Sequence, residues 1–151
     1  METLFDKVSA DIKTAMLAKD KIALEALRGI KKEFLEAKTA KGNDGTLHDE
    51  QGVKILQKMV KQRKDSAQIY NDQNRPELAE NELAEVAVIE RYLPKQLSDT
   101  ELEAAISAII AQAGATNLQD LGKVMGIASK QLAGKAEGRA ISEKVKVLLT
   151  K

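Results

Sequence analysis

The chain has 151 residues, 43% hydrophobic and 31% charged, with a net charge of +1. That balance predicts one globular domain or two small ones, and it excludes an intrinsically disordered chain or one drawn to nucleic acid by overall charge. The absence of Cys excludes disulfides, thiolate metal sites and thiol nucleophiles. Aromatics make up only 3%, without Trp, which leaves a core of Leu, Ile, Val, Ala and Met suited to helix packing.

Leu4, Val8, Ile12, Ala15 and Met16 set the apolar face of a first helix ending near Lys19. Leu24, Leu27, Phe34 and Leu35 give a second helix to about Lys38, with Lys31 on the same stripe and its stem available to snorkel. "TAKGNDGTLHD" breaks the period and reads as a loop. A third helix runs from Asp49 to about Asn71, burying Val53, Leu56, Val60, Ala67 and Tyr70. Pro76 opens a fourth, where its missing N–H costs nothing, and Leu83, Val86, Ala87 and Ile89 continue it towards Tyr92.

Pro94 pushes Leu93 out of helical geometry. Ser98 and Glu101 then form a capping box for the clearest helix of the chain, on Leu102, Ala105, Ile106, Ile109, Ile110 and Ala113, which Gly114 ends. Thr116 to Gln119 repeats the capping-box pattern before a stripe of Leu118, Leu121, Met125, Ala128 and Leu132. A last helix starts between Arg139 and Ser142 and packs through Ile141, Val145, Leu148 and Leu149. The expected architecture is all-α: an N-terminal four-helix part, residues 1–94, a hinge at about 93–97, and a C-terminal three-helix part, residues 95–151.

Catalytic apparatus is not visible. His48 lies in a polar loop, where a helix-capping or solvated role suffices. With one His and no Cys, a zinc site would need carboxylates around His48. "GKVMG" and "GKAEGR" lack the Walker pattern and follow no strand. No metal or cofactor is expected. "METLFDKVSADIK" lacks the basic and apolar regions of a signal peptide, and no apolar run approaches the roughly 18 residues that span a bilayer. A cytoplasmic location away from membranes is therefore expected.

Charge is uneven. Residues 121–151 carry seven basic and two acidic side chains, a net +5 against −4 for the rest. Helix three is basic (Lys54, Lys58, Lys61, Arg63, Lys64) and helix four acidic (Glu77, Glu80, Glu82, Glu85, Glu90), which reads as mutual neutralisation along a hairpin, with RNA binding by helix three as the competing reading. In the last third, Gly122, Gly126, Ser129 and Ala133 form a small-residue stripe. Its partner is either a neighbouring helix or a sugar–phosphate backbone. Lys135 and Arg139 sit where two helices join, beside the free N–H groups that open the last helix, a combination suited to phosphate. The scarcity of aromatics points to structured RNA rather than single strands read by stacking. No contact with DNA is expected.

"LRGIKKEF", "KQRKDSAQIYNDQNRPELAENELAEVAVIERYLPKQLS" and "DLGKVMG…GKAEGRAISEKVKVLL" resemble the YqeY-like proteins of the GatB/YqeY family over essentially the whole chain. The part after Pro94 also resembles the tail domain of the B subunit of glutamine-dependent aspartyl/glutamyl-tRNA amidotransferase, a helical module that touches the tRNA body. The tail commonly has Pro after its glycine-lysine loop, where this chain has Glu137-Gly138-Arg139. The resemblance implies contact with tRNA around Gly122, Lys123, Gly126, Gly134 and Lys135. With the nearby cations, the expected nucleic-acid-binding set is Gly122, Lys123, Gly126, Lys130, Gly134, Lys135, Arg139 and Lys144. The resemblance also implies an association with tRNA-dependent amidation and its proteins, under the label of a carbon–nitrogen ligase with glutamine as amide donor. It brings no active site, because that chemistry lives in other domains and another subunit. The alternative is a protein–protein adaptor unrelated to RNA.

Overall fold

The computed structural model describes residues 2–150. Among the described residues the regular structure is α-helix and one 3₁₀ turn, with no strand. The chain divides into two compact units, one up to Leu93 and one from Pro94.

The first unit holds α1 (Leu4–Ala18), α2 (Lys21–Lys38), α3 (Asp49–Asp72) and α4 (Pro76–Glu90). Local chemistry sets each start. Thr3 and Asp6 form a reciprocal capping box, and the Asp20 carboxylate accepts the Ala23 N–H at 3.1 Å. His48 occupies the N-cap of α3; the Gln51 side chain accepts its N–H at 3.1 Å, while its exposed ring meets Asp44 at 3.2 Å. Pro76 is the first residue of α4. The most extensive packing is between α3 and α4, followed by α1 on α2 and α2 on α4. Phe34, Ile30, Leu56, Ile89 and Val8 fill the centre without solvent exposure. Each such side chain contributes about 1.5–3 kcal/mol of burial. Gly52 lets α3 approach α1, because a Cβ there would lie 3.0 Å from Leu4 Cδ1.

Several side chains expected inside lie outside. Met16, Leu35 and Leu83 are 53%, 41% and 46% exposed, while Ile30 and Val88 are buried instead. The period of the helices is as expected, but the neighbours that cover each face decide which edge residues are enclosed. The ladder of neutralising pairs along α3 and α4 also does not form. Among the described residues one ion pair joins these helices, Arg63 Nη2 to Glu85 Oε1 at 3.6 Å.

The second unit holds α5 (Asp99–Ala113), a 3₁₀ turn (Leu118–Asp120), α6 (Leu121–Gln131) and α7 (Gly138–Leu149). Ser98 and Glu101 form the expected capping box, and Gly114 ends α5 in the left-handed region at φ 67°. Each of the three helices packs on the other two around Ile106, Val124, Val145 and Ala128. The box expected at Thr116–Gln119 is replaced by other bonds. Asn117 accepts the Gln119 N–H and Asp120 accepts the Thr116 N–H, each at 2.9 Å, and this winds the 3₁₀ turn. The tighter 3₁₀ turn takes Leu118 out of line with α6, and it is 48% exposed. Leu121, Met125, Ala128 and Leu132 keep the expected stripe against the core, joined by the fully buried Val124.

Candidate functional site

The sequence of α6 separates two kinds of residue around the helix. Val124 and Ala128 are buried against α5 and α7, with Leu132 just beyond its end. Gly122, Gly126 and Ser129, and Ala133 in the following turn, lie on the exposed side. A Cβ added at Gly122 or Gly126 would meet nothing within 4 Å among the described residues. Among the described residues, therefore, no helix of the same unit packs on Gly122 and Gly126. The two glycines line an open groove of about 410 Å³, together with Lys123, Ile127, Lys130 and Gln131.

Four of the eight expected residues therefore meet in one place: Gly122, Lys123, Gly126 and Lys130. The two lysines stand seven residues apart, two helical turns, on the same wall. Lys123 Nζ donates to the Ala113 carbonyl at 2.9 Å, closing the C-terminal end of α5. Lys130 is exposed and has no carboxylate within ion-pair distance among the described residues. Sequence reasoning misses Ile127 and Gln131. Their i+4 and i+8 spacing from Lys123 is the available signal, masked because an isoleucine in a helical stripe reads as core.

The other expected residues lie apart from this groove's lining. Gly134 adopts φ 78°, and its carbonyl accepts the Gln96 side-chain amide at 2.7 Å. The Lys135 carbonyl accepts the Leu97 N–H at 3.0 Å, so this loop is tied by its backbone to the segment before α5 and keeps the Lys135 side chain exposed. Arg139, in the first turn of α7, pairs with Glu143 at 3.1 Å, both largely exposed. Glu137 takes the N-cap of α7 without a side-chain capping bond, which leaves the first N–H groups of that helix without a side-chain cap. Lys144 is differently placed. Its ammonium meets Asp99 at 2.9 Å and Glu103 at 3.9 Å, and its side chain is only 18% exposed. The hydrogen bond to Asp99 raises its pKa. Lys144 fastens α7 to α5 and is not a free cation. Lys151, one of the seven late basic residues, lies outside the described residues.

No group of three His, Asp or Glu side chains gathers as a metal site among the described residues, and no helix there is long and apolar enough to cross a membrane. What the groove offers is an open surface over Gly122 and Gly126, flanked by the Lys123 and Lys130 side chains.

A family model described as Yqey-like protein matches residues 5–149. Among curated proteins, the chain is 31% identical over 113 residues to "Altered inheritance of mitochondria protein 41, mitochondrial" of Lachancea thermotolerans, covering 71% of this chain and 58% of that one. The protein of the same name in Meyerozyma guilliermondii is 37% identical over 93 residues, covering 61% and 47%. That of Pyrenophora tritici-repentis is 27% identical over 145 residues, covering 92% and 77%. The chain thus spans about half of the first two relatives' length. These names overturn the expectation of a cytoplasmic location, since the relatives are named as mitochondrial. That expectation rests on features the sequence lacks, and lacking a signal-peptide pattern or an apolar run does not distinguish one of these compartments from the other.

Proposed function

Because the chain belongs to the YqeY-like family, matched from residue 5 to residue 149, we propose that it acts as a helical binding module whose second unit lies along the phosphate backbone of folded tRNA. The observation that carries this reading is the open space over Gly122 and Gly126, in a groove that Lys123 and Lys130 also line. A helix facing solvent gains from Ala over Gly by about 1 kcal/mol per position. Two exposed glycines therefore forgo stability and leave a surface on which a backbone can rest. Lys123 and Lys130 supply positive charge at its wall, and Lys135 supplies more from the loop, while Arg139 at the start of α7 is paired with Glu143. No aromatic side chain lines the groove, so the contact suits phosphate and sugar rather than stacked bases.

Such a module positions RNA and performs no bond chemistry of its own. A role beside tRNA-dependent amidation, with a carbon–nitrogen ligase supplying the catalysis, is the form of this proposal that the resemblance to the amidotransferase tail favours. The test is filter binding of bulk tRNA to the full chain over a salt series. Affinity that falls steeply with salt, and falls further on replacing Lys130 and Lys135 by Ala, is the expected result. Binding unchanged by those substitutions would sink it.

One feature favours a protein adaptor instead: Ile127 places an aliphatic side chain in the groove between the lysines. A partner that remains bound after nuclease treatment and high salt, and is lost on Ile127→Ser, would establish that reading in place of the first.

A further inference from the structure

The basic run of α3 is not absorbed by the second-unit groove. Lys54, Lys58, Lys61 and Lys64 follow one another at spacings of four, three and three, so they share one stripe of the helix. Leu56, Met59, Val60 and Ala67 are buried on the opposite side. Lys54, Lys58 and Lys64 are exposed, and Lys61 is partly so. The stripe extends about 15 Å along the axis, from a rise of about 1.5 Å per residue.

The acidic residues of α4 do not neutralise it. Arg63, the α3 cation paired with α4, lies on the covered side with only 20% of its side chain exposed. Lys61 is held by Asp65 at 2.9 Å. Lys54, Lys58 and Lys64 have no carboxylate within ion-pair distance among the described residues. Glu50 and Asp65 bound the ridge at its two ends on the same face. An ordinary solvated helix face alternates charge at i+3 and i+4; here Lys54–Lys58, Lys58–Lys61 and Lys61–Lys64 are like-charged neighbours, each disfavouring the helix. None of Phe5, Phe34, Tyr70 or Tyr92 belongs to the stripe, so it offers charge without a stacking platform.

We infer that this ridge is a second phosphodiester-binding surface, carried by the first unit and taking the backbone of the same class of folded RNA. The inference rests on the reading that the ligand is structured RNA. It adds that RNA binding is not confined to the tail-like unit, and that the charge of α3 works outward, towards a ligand.

The experiment uses the full chain, bulk tRNA as the probe, and filter binding between low and moderate salt. The triple variant Lys54→Gln, Lys58→Gln, Lys64→Gln removes the three unpaired cations and keeps good helix formers at exposed positions. The expected result is a log–log salt slope shallower by about 2–3, at about 0.7–0.9 for each phosphate no longer neutralised, with unchanged helicity by circular dichroism. A Lys130→Ala, Lys135→Ala variant measured in parallel reports on the second unit alone. If the triple variant keeps the wild-type slope while the second-unit variant loses affinity, the ridge is an ordinary solvated face and the inference falls, with the proposed function intact. If the wild-type chain does not bind tRNA, both fall together.

Discussion

Lys123 Nζ lies 2.9 Å from the carbonyl oxygen of Ala113, so a cation of the candidate groove also closes the end of α5. The bond complements the negative end of the α5 dipole. Lys123→Ala should therefore do two things: lower the stability of the chain by about 0.5–1 kcal/mol and weaken RNA binding. Lys130→Ala, with no such bond, should affect binding only. Urea melts of the two variants beside their tRNA isotherms separate these effects, and equal stabilities would show that the Lys123 contact adds nothing to the fold.

At Gly122 and Gly126 the proposed function predicts that a gain in stability costs binding. Nothing among the described residues lies within 4 Å of a Cβ at either position. Gly122→Ala and Gly126→Ala should each stabilise the chain, by about 0.5–1 kcal/mol, because the helix gains propensity and the unfolded chain loses entropy. Larger side chains, Gly122→Leu with Gly126→Leu, should keep the fold and fill the groove. The expected outcome is a raised melting temperature with at least tenfold weaker tRNA binding. Tight binding by the double Leu variant would show that no backbone approaches α6 there.

Legibility in the sequence followed the range of the interactions. Ser98, Glu101 and Gly114 were readable because a capping box and a left-handed helix end are made within a few residues. Leu118 was misplaced because its fate depends on a 3₁₀ turn made by Asn117 and Asp120, which competes with the capping pattern that Thr116 presents. Met16 and Leu83 continue an apolar period yet stay 53% and 46% exposed among the described residues, because periodicity does not say which edge of a helix its neighbours cover. Within the candidate site, the glycine spacing located the groove. The pairing of Lys144 is not legible in the sequence, because its partner, Asp99, is 45 positions away and only packing of α7 on α5 brings the two together.

The capping box at the start of α5 has a predictable acid response. The Ser98 backbone N–H and side chain hold the Glu101 carboxyl below the usual glutamate range, with the nearby Lys95 charge acting in the same direction. A carboxylate with a depressed folded pKa contributes stability that is present above the unfolded value, near 4.5, and lost as pH falls through the folded value. Glu101→Gln keeps an acceptor for the Ser98 N–H and removes the titration. Its melting temperature should therefore fall less than that of the wild type on acidification in this window. Ser98→Ala should cost about 1 kcal/mol at neutral pH.

Arg63 and Glu85 predict the opposite slope. Burial pushes the Glu85 carboxyl upward, aided by the neighbouring Glu82 and Glu25 charges; Arg63 pulls it down but does not prevail. The geometry agrees, since the pair is separated by 3.6 Å and the buried Arg63 Nε has no hydrogen-bond partner. A carboxyl whose folded pKa is raised contributes stability that is full below its unfolded value and lost as pH rises through the folded one. Glu85→Gln should remove that loss, so the variant gains on the wild type as pH climbs above about 4.5. Arg63→Met alone leaves the half-buried Glu85 without its counter-charge and should cost about 1–3 kcal/mol. Replacing both, Arg63→Met with Glu85→Leu, removes the desolvated pair together and fills the space with apolar atoms, so the double variant should be at least as stable as the wild type. The coupling is read from a double-mutant cycle of urea melts at neutral pH. A double variant less stable than Arg63→Met would mean that the ion pair strengthens the packing of α3 on α4 more than apolar contacts can.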